Sequence, residues 1–272
     1  MVFPFPADAR TGPYYNTALA ILWPTMMAGT RRQWLGREHL GRPGDGMVIA
    51  ANHISWIDPI LIAHFMNDTG RPPRFLAKDA LFEAPVLGSI MSGADQIPVH
   101  RGSADAAQAV ASAVEAVEAG EAVVVYPEGT LSRDPQMWPM SGKTGAARIA
   151  LTADAPVIPL AHWGGHRIMR PYKKELRMFP PKPVAVIAGG PVDLADLRAL
   201  DLTVPVLEEA TTRIMDAITE LEAELRNETP PPDRWDYRAE RRVPVVRGLA
   251  AHEEMSRRAS EEGPGASSES QS

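Results

Sequence analysis

One β-branched run, Ala122-Val123-Val124-Val125-Tyr126, constrains the fold of this chain more than any other stretch. The run shows no alternation of apolar and polar residues, which predicts a strand buried on both faces, as in a parallel sheet covered by helices. Further apolar runs predict strands at 47–50, 74–77, 156–161 and 184–187. A run at 96–100 predicts an edge strand or a strand end, because Pro98 cannot donate a hydrogen bond within a sheet.

Helical patterns lie between these runs. After Gly102, apolar residues recur at three- and four-residue spacing until Gly120, which predicts an amphipathic helix with a glycine stop. Other patterns predict helices at 59–66, at about 142–153 and at about 203–226. Strands and helices that alternate along a chain are typical of an α/β fold.

The N-terminal segment is apolar and aromatic from Tyr14 to Gly29. Pro24 ends its longest apolar run far short of the roughly 20 residues of a transmembrane helix. The aromatic residues and the following Arg31-Arg32 pair suit a helix that lies in a membrane interface. Packing of this helix on the core of the domain is the alternative. Residues 1–11 show no signal-peptide pattern.

The C-terminal segment differs from the rest of the chain. The proline-rich stretch at 229–232 predicts the start of an extended segment. Trp235 and Tyr237 could dock the part that follows onto the domain. From Ser256 onward no large apolar residue occurs, which predicts disorder. We therefore expect an N-terminal apolar segment at 1–34, a main domain at 35–228, and an extended to disordered tail at 229–272.

Composition excludes several classes of site. The net charge of −6 argues against a general nucleic-acid binder, so no nucleic-acid partner is expected. The chain contains no cysteine, which excludes disulfides, thiolate metal sites and cysteine nucleophiles. The absence of cysteine fits a cytoplasmic protein.

A histidine and a carboxylate, His53 and Asp58, follow the strand predicted at 47–50. A neutral imidazole can take a proton near pH 7, and a carboxylate beside it can fix its tautomer and stabilise its charged form. In a regular helix the two side chains would point about 140° apart. The pair therefore requires His53 to lie in the turn before the helix. Alternatively, Asp58 only caps the helix that Pro59 opens.

Two further stretches follow predicted strands. Arg101 presents a forked donor suited to phosphate, or else it forms a surface salt bridge. In Glu128-Gly129-Thr130, a glycine between a carboxylate and a hydroxyl predicts a tight turn whose backbone is exposed to a ligand. An ordinary turn between a strand and a helix is the alternative for this second stretch.

Together these stretches resemble the glycerolipid acyltransferase family, and among its members the 1-acylglycerol-3-phosphate acyltransferases. The four matching blocks are Asn52-His53 with Asp58, Arg101, Pro127-Glu128-Gly129-Thr130, and Val157-Ile158-Pro159, in that order. The resemblance covers roughly residues 35 to 225. The third block departs from the family pattern, because Leu131 takes the place of an arginine and Arg133 comes two residues later.

The resemblance implies a single α/β domain with a mixed, largely parallel β-sheet flanked by helices, an N-terminal membrane-interface helix and a disordered tail. It implies transfer of a fatty acyl chain from acyl-CoA or acyl carrier protein to the free hydroxyl of 1-acyl-glycerol-3-phosphate. The product would be phosphatidic acid, in phospholipid biosynthesis. The implied partners are the acyl donor, a lysophospholipid acceptor and a membrane surface, at the cytoplasmic face of the cell membrane. No cofactor and no metal are expected.

The resemblance also assigns roles to residues. His53 would be the general base on the acceptor hydroxyl, and Asp58 would orient it. The residues implied to position the glycerol and phosphate of the acceptor are Arg101, Glu128, Gly129 and Thr130, with Lys143 or Arg133 adding positive charge. Backbone amides near Gly129 and Thr130, or near His53, are the candidate donors to the tetrahedral intermediate.

Three alternatives stay open at this point. The acceptor could be glycerol-3-phosphate, another lysolipid or a glycolipid, which the departure at Leu131 favours. A metal-dependent hydrolase would need ligands besides His53 and Asp58, and the available histidines are His64, His100 and His162. The third alternative is a non-catalytic lipid-binding module.

Overall fold

Seven strands form one mixed sheet in the computed structural model, which describes residues 13–84, 87–99, 103–173 and 175–252. The strands are β1 (Thr30–Leu35), β2 (Met47–Ala51), β3 (Pro73–Lys78), β4 (Ile97–Val99), β5 (Ala122–Val125), β6 (Val157–Trp163) and β7 (Lys182–Ala188). Their order across the sheet is β1-β7-β6-β2-β5-β3-β4. Every neighbouring pair is parallel except β6 and β7. The expected α/β domain with a mixed, largely parallel sheet is confirmed.

Helices cover both faces of this sheet. They are α1 (Pro13–Gly29), α2 (Asp58–Asn67), α3 (Leu87–Gly93), α4 (Ser103–Glu118), α5 (Gly145–Thr152), α6 (Gly165–Ile168), α7 (Ala195–Arg198) and α8 (Val204–Arg226). Short 3₁₀ turns lie at Arg37–Leu40 and Asp79–Leu81, and a small hairpin pairs β8 (Arg234–Asp236) with β9 (Arg241–Val243). The strands and helices predicted from the sequence are all present, with β4 at the sheet edge as Pro98 indicated.

The central strands are buried on both faces. In β2, Val48 and Ala50 join the apolar cluster that holds residues of α4, α5 and α8, whereas Ile49 and Ala51 join the cluster that holds residues of α2. All five residues of β2 and all four of β5 are buried. The uninterrupted apolar runs follow from this burial, because neither face of these strands meets water.

Strand β1 was missed by the sequence analysis. Its sequence, Thr-Arg-Arg-Gln-Trp-Leu, is largely polar; Thr30 is buried, Arg31 and Gln33 are exposed, and the others are half-buried. It pairs in parallel with β7 at the edge of the sheet, so two of its polar side chains face water. The sheet therefore begins at Thr30, within the N-terminal segment predicted at 1–34.

Helix α1 packs on the domain. Met26 is buried in a cluster with Ile57, Leu61 and Met178, and the Trp23 ring lies 4.1 Å from the ring of His64. These contacts match the alternative of packing on the core, and they leave contact with a membrane as a proposal. No helix in the described part of the chain is long and apolar enough to cross a membrane.

The C-terminal segment docks onto the domain as far as residue 252. The Ser141 amide donates to the Trp235 carbonyl over 3.0 Å, and Arg242 forms an ion pair of 2.6 Å with the buried Asp134. Residues 253–272, which include the stretch predicted to be disordered, lie outside the described residues.

Candidate active site

The turn between β2 and α2 brings His53 and Asp58 together. Oδ2 of Asp58 accepts hydrogen bonds from the backbone amides of Ile54, at 2.7 Å, and Ser55, at 2.6 Å. These bonds fold the chain back, so that Nδ1 of His53 lies 3.0 Å from the same oxygen. Asp58 therefore binds the turn upstream of α2, and His53 occupies the position before the helix that the pairing requires.

The geometry fixes how His53 can react. A carboxylate only accepts hydrogen bonds, so Nδ1 carries the proton and Nε2 of the neutral ring is left as the proton acceptor. Asp58 is fully buried, while the His53 side chain keeps 13% of its surface exposed. Nothing larger than glycine fits beside the other carboxylate oxygen, because a Cβ on Gly165 would lie 2.7 Å from Oδ1 of Asp58.

An aromatic stack limits the rotation of the His53 ring. The Tyr126 ring lies 4.1 Å from it at an interplanar angle of 21°, and Phe75 stacks on the far side of Tyr126 with centroids 6.3 Å apart. Burial raises the pKa of Tyr126 well above its usual value. Tyr126 is therefore a neutral packing surface for the imidazole.

The predicted tight turn follows β5. Gly129 has a φ of 69°, in the left-handed region that glycine adopts without strain. The Lys143 side chain crosses this turn, with Nζ 2.8 Å from the place that a Cβ on Gly129 would occupy. Gly129 and Lys143 are exposed, and Thr130 is half-buried. The turn thus presents a cation and bare backbone at the surface.

Glu128 joins this turn to His53. Its carboxyl group accepts hydrogen bonds from the amide of His53, at 3.1 Å, and from the amide of Met140, at 3.0 Å. The carbonyl of His53 in turn accepts a 2.6 Å bond from the Ser132 amide. Glu128 is buried, so it holds the backbone on either side of the site, and its role in substrate contact stays a prediction.

The buried carboxyl group of Glu128 gives the fold a specific pH dependence. Burial raises the pKa of Glu128 from 4.5 to about 8. The unfolded chain ionises this group above its ordinary pKa while the folded chain keeps it protonated, so the free energy of unfolding falls as pH rises from 4.5 to about 8. The slope for one carboxyl is at most about 1.4 kcal/mol per pH unit.

Glu128→Gln should reduce this slope, as measured by chemical denaturation at a series of pH values between 5 and 8. Glu175→Gln, at an exposed position, is the control and should leave the slope unchanged. Equal slopes for wild type and Glu128→Gln would contradict a raised pKa.

The comparisons with known proteins agree with this geometry. The family model described as Acyltransferase matches residues 32–163, which contain His53, Asp58 and the Gly129 turn. The match covers just under half of the chain.

Curated proteins named as acyltransferases match part of the chain. A chloroplastic 1-acyl-sn-glycerol-3-phosphate acyltransferase of Brassica napus is 30% identical over 49% of this chain and 38% of its own length. The corresponding Neisseria gonorrhoeae protein is 30% identical over 45% of this chain and 47% of its own. The match to each thus spans half of its length or less. The crystal structure of the 1-acyl-sn-glycerophosphate acyltransferase PlsC of Thermotoga maritima superimposes with a TM-score of 0.59 over 83% of this chain and 86% of its own. This similarity shows a shared fold, at a sequence identity of 21%.

The structure describes only some of the residues that were predicted to bind the phosphate of the acceptor. Arg101 lies outside the described residues, with its neighbours His100 and Gly102. Leu131, in the place of the family arginine, is fully buried, and its carbonyl accepts a 2.9 Å bond from the Tyr172 hydroxyl. The Arg133 guanidinium is exposed and lies 5.3 Å from the Tyr237 ring centroid. The structure thus brings Lys143 to the turn, and places Arg133 against the C-terminal segment.

The histidines considered as metal ligands lie elsewhere or serve other contacts. Within the described ranges, no group of three or more His, Cys, Asp or Glu residues is arranged to hold a metal ion. His64 packs between Trp23 and Trp34, and burial lowers its pKa to about 4. His162 faces Asp58 and takes part in a buried network that the sequence analysis missed.

That network starts one residue before His53. The Asn52 side chain donates to the carbonyl of His162 over 3.1 Å and to Oε2 of Glu222 over 2.8 Å. Oε1 of Glu222 binds Arg226 at 3.0 Å, and the Arg226 guanidinium lies between the rings of Trp138 and Trp163, 3.8 Å and 4.3 Å away. Burial raises the pKa of Glu222 to about 8. Asn52 is the member of this network that belongs to the first block of the family resemblance.

Proposed function

We propose that this protein transfers a fatty acyl chain from acyl-CoA or acyl carrier protein to the free hydroxyl of 1-acyl-glycerol-3-phosphate, giving phosphatidic acid. One observation carries the chemistry: Nδ1 of His53 binds the buried carboxylate of Asp58 at 3.0 Å, so that Nε2 of a partly exposed ring can accept a proton. The names of the relatives, all 1-acyl-sn-glycerol-3-phosphate acyltransferases, support the choice of acceptor.

In the proposed reaction, Nε2 of His53 takes the proton of the acceptor hydroxyl as its oxygen attacks the thioester carbonyl carbon. The new C–O bond forms first, and the tetrahedral intermediate then breaks its C–S bond. The thiolate leaves and recovers the proton from the imidazolium. Asp58 stabilises that imidazolium throughout, and general-base assistance of this kind contributes about 10²–10⁴ in rate.

The hydrogen-bond donor for the intermediate can be narrowed by elimination among the amides predicted from the sequence. The amide of His53 donates to Glu128, those of Ile54 and Ser55 donate to Asp58, and that of Gly129 donates to the Tyr126 carbonyl at 2.9 Å. The amide of Thr130, beside the exposed Gly129, is therefore the backbone donor that we assign to the oxyanion.

The phosphate of the acceptor would bind to cations beside the Gly129 turn. Lys143 lies there, and Arg101 is the second cation in the family resemblance. Arg101→Ala is expected to raise the acceptor KM by about 10–150-fold, because a charge-assisted hydrogen bond to phosphate contributes about 1.5–3 kcal/mol. Initial rates over a range of acceptor concentrations test this. Arg148→Ala, exposed on α5, is the control, and an effect confined to the acyl-donor KM would contradict the assignment.

The proposed function is tested by incubating the purified protein with acyl-CoA or acyl carrier protein thioesters and several acceptors, followed by product mass spectrometry. Phosphatidic acid formed from 1-acyl-glycerol-3-phosphate is the expected product. Turnover of glycerol-3-phosphate or another lysolipid alone would favour the second candidate, a different acceptor. The buried Leu131 in place of a family arginine is the observation that supports that candidate. Lysolipid binding without turnover in any combination would favour a binding module.

We also propose that the protein works as a peripheral protein on the cytoplasmic face of the cell membrane. Four exposed apolar side chains support this, with between 50% and 68% of their surface accessible: Trp56, Tyr172, Leu176 and Phe179. Residues 170–182 hold five Lys or Arg residues and one Glu, a charge that suits anionic lipid. This segment borders the site, because the Ser55 hydroxyl donates to the Met169 carbonyl over 2.6 Å.

Phe179→Ala combined with Leu176→Ala is expected to lower binding to vesicles that contain phosphatidylglycerol by about tenfold, as measured by co-sedimentation. The control is Leu200→Ala with Leu202→Ala, which removes exposed apolar surface near the start of α8. Equal loss in both double variants would contradict a membrane face at 170–182. Binding of the wild type to neutral vesicles as strong as to anionic ones would contradict the role of its basic residues.

A further inference from the structure

His162 lies at the centre of the buried network and makes a reciprocal pair with Asn52. The Asn52 side chain donates to the backbone carbonyl of His162 at 3.1 Å, and the backbone amide of His162 donates to Oδ1 of Asn52 at 2.9 Å. Both residues are fully buried. The two hydrogen bonds therefore hold β6 against Asn52, the residue that directly precedes His53.

The hydrogen bonds also determine the protonation of the His162 ring. Nε2 lies 2.8 Å from the backbone carbonyl of Asn52, and a carbonyl can only accept, so Nε2 carries the proton. Burial lowers the pKa of His162, which keeps the ring neutral, and Nδ1 has no hydrogen-bond partner among the described residues. The same Nε2–H lies 3.5 Å from Oδ2 of Asp58. The Asp58 carboxylate is thus placed between two imidazole rings.

We propose that His162 is a positioning residue for the His53–Asp58 pair. Its Nε2–H holds the Asn52 carbonyl, which fixes the backbone that leads into His53, and the same nitrogen lies 3.5 Å from the carboxylate that orients His53. The proposal deepens the proposed function, since it assigns a further residue to the same site. His162 lies in β6, the strand that also contains the fourth block, but it comes after that block and so outside the motifs that carry the family resemblance.

The N–H of His162 also affects how strongly the Asp58 carboxylate stabilises the charged form of His53. A carboxylate that shares its charge with His162 stabilises the His53 imidazolium less than one that faces His53 alone. Removal of the His162 N–H should therefore raise the pKa of the His53 ring. The other titratable groups around the pair are Glu128 and Tyr126 from the β5 side and His166 from α6, and none of them changes in the test below.

Two substitutions separate positioning from packing. In His162→Gln the side-chain amide can reach the place of Nε2 and keep an N–H donor, whereas His162→Leu fills a similar volume without one. We expect His162→Leu to lower kcat by about 10–100-fold with the acceptor KM nearly unchanged, since small displacements of a reacting group carry penalties of this size. His162→Gln should recover most of the wild-type kcat. Circular dichroism and thermal unfolding verify that each variant is folded.

A second measurement does not depend on activity. Nuclear magnetic resonance of ¹⁵N-labelled histidine rings reports the pKa of His53 in each protein, and His53→Gln identifies its signals. A higher His53 pKa in His162→Leu, with a wild-type value in His162→Gln, is the expected result. An unchanged His53 pKa in folded His162→Leu, or full kcat in that variant, would overturn the proposal. If the wild type transfers no acyl group while the His53 pKa still shifts, the proposed function fails and the positioning of His53 by His162 stands.

Discussion

Replacement of His53 by alanine is expected to lower kcat for acyl transfer by about 10²–10⁴-fold, because the acceptor hydroxyl loses its general base. The loss should fall on kcat, since in the proposed reaction the ring takes the proton of the hydroxyl, whereas the acceptor phosphate would bind beside the Gly129 turn. The His53 side chain makes one hydrogen bond, to Asp58, and is partly exposed, so the variant should fold. Steady-state kinetics with a saturating acyl donor measures the effect.

His39→Ala is the matched control. His39 is an exposed histidine on the 3₁₀ turn Arg37–Leu40, and its removal should leave kcat within about twofold. Near-wild-type turnover by His53→Ala would exclude His53 as the base. Loss of turnover together with loss of the folded state would instead show that His53 has a structural role that its single hydrogen bond does not indicate.

Asp58→Asn is expected to lower kcat by a similar factor of about 10²–10⁴, for a different reason. The two backbone amides that donate to Oδ2 keep the amide oxygen of Asn in that place, where it still accepts from Nδ1 of His53 but no longer stabilises the imidazolium with a full negative charge. The substitution also replaces a charged acceptor of two backbone amides, those of Ile54 and Ser55, by a neutral one. We therefore expect a loss of about 1–3 kcal/mol in the free energy of unfolding.

Chemical denaturation and kinetics on the same preparation measure the two effects separately. Asp154→Asn is the control, because Asp154 is a highly exposed carboxylate in a surface ion pair with Arg198 and should change neither quantity by much. Asp58→Asn that loses stability and keeps its turnover would show that Asp58 serves only to close the turn.

Most of the fold could be predicted from the sequence because the central strands are buried on both faces and therefore form uninterrupted apolar runs. The run at Ala122–Val125 and the glycine stop at Gly120 are local signals, and both lie where they were predicted. Strand β1 could not be found in the same way. Most of its residues are polar, Arg31 and Gln33 face water at the edge of the sheet, and its pairing with β7 joins residues about 150 positions apart.

The residues of the candidate site likewise differ in how far the local sequence predicts their contacts. His53 and Asp58 were predicted to pair on the strength of the family resemblance, and the alternative that Asp58 only caps the helix stayed open until the structure placed Nδ1 of His53 3.0 Å from Oδ2 of Asp58. Glu128 was predicted to contact substrate, but no local pattern shows that backbone amides 75 and 12 residues away bind its two oxygens. Glu222 is one of several acidic residues on α8, and only its burial against Asn52 sets it apart.

The bond between Asn52 and Glu222 joins residues 170 positions apart, which lie on either side of the point where the family match ends. A fragment cut at residue 163, where the family match ends, would retain His53, Asp58 and the third block. It would lack the helix that covers one face of β6 and the acid that receives the Asn52 amide. Fragment design, domain shuffling and any search for a minimal active piece should therefore keep the chain intact through Arg226.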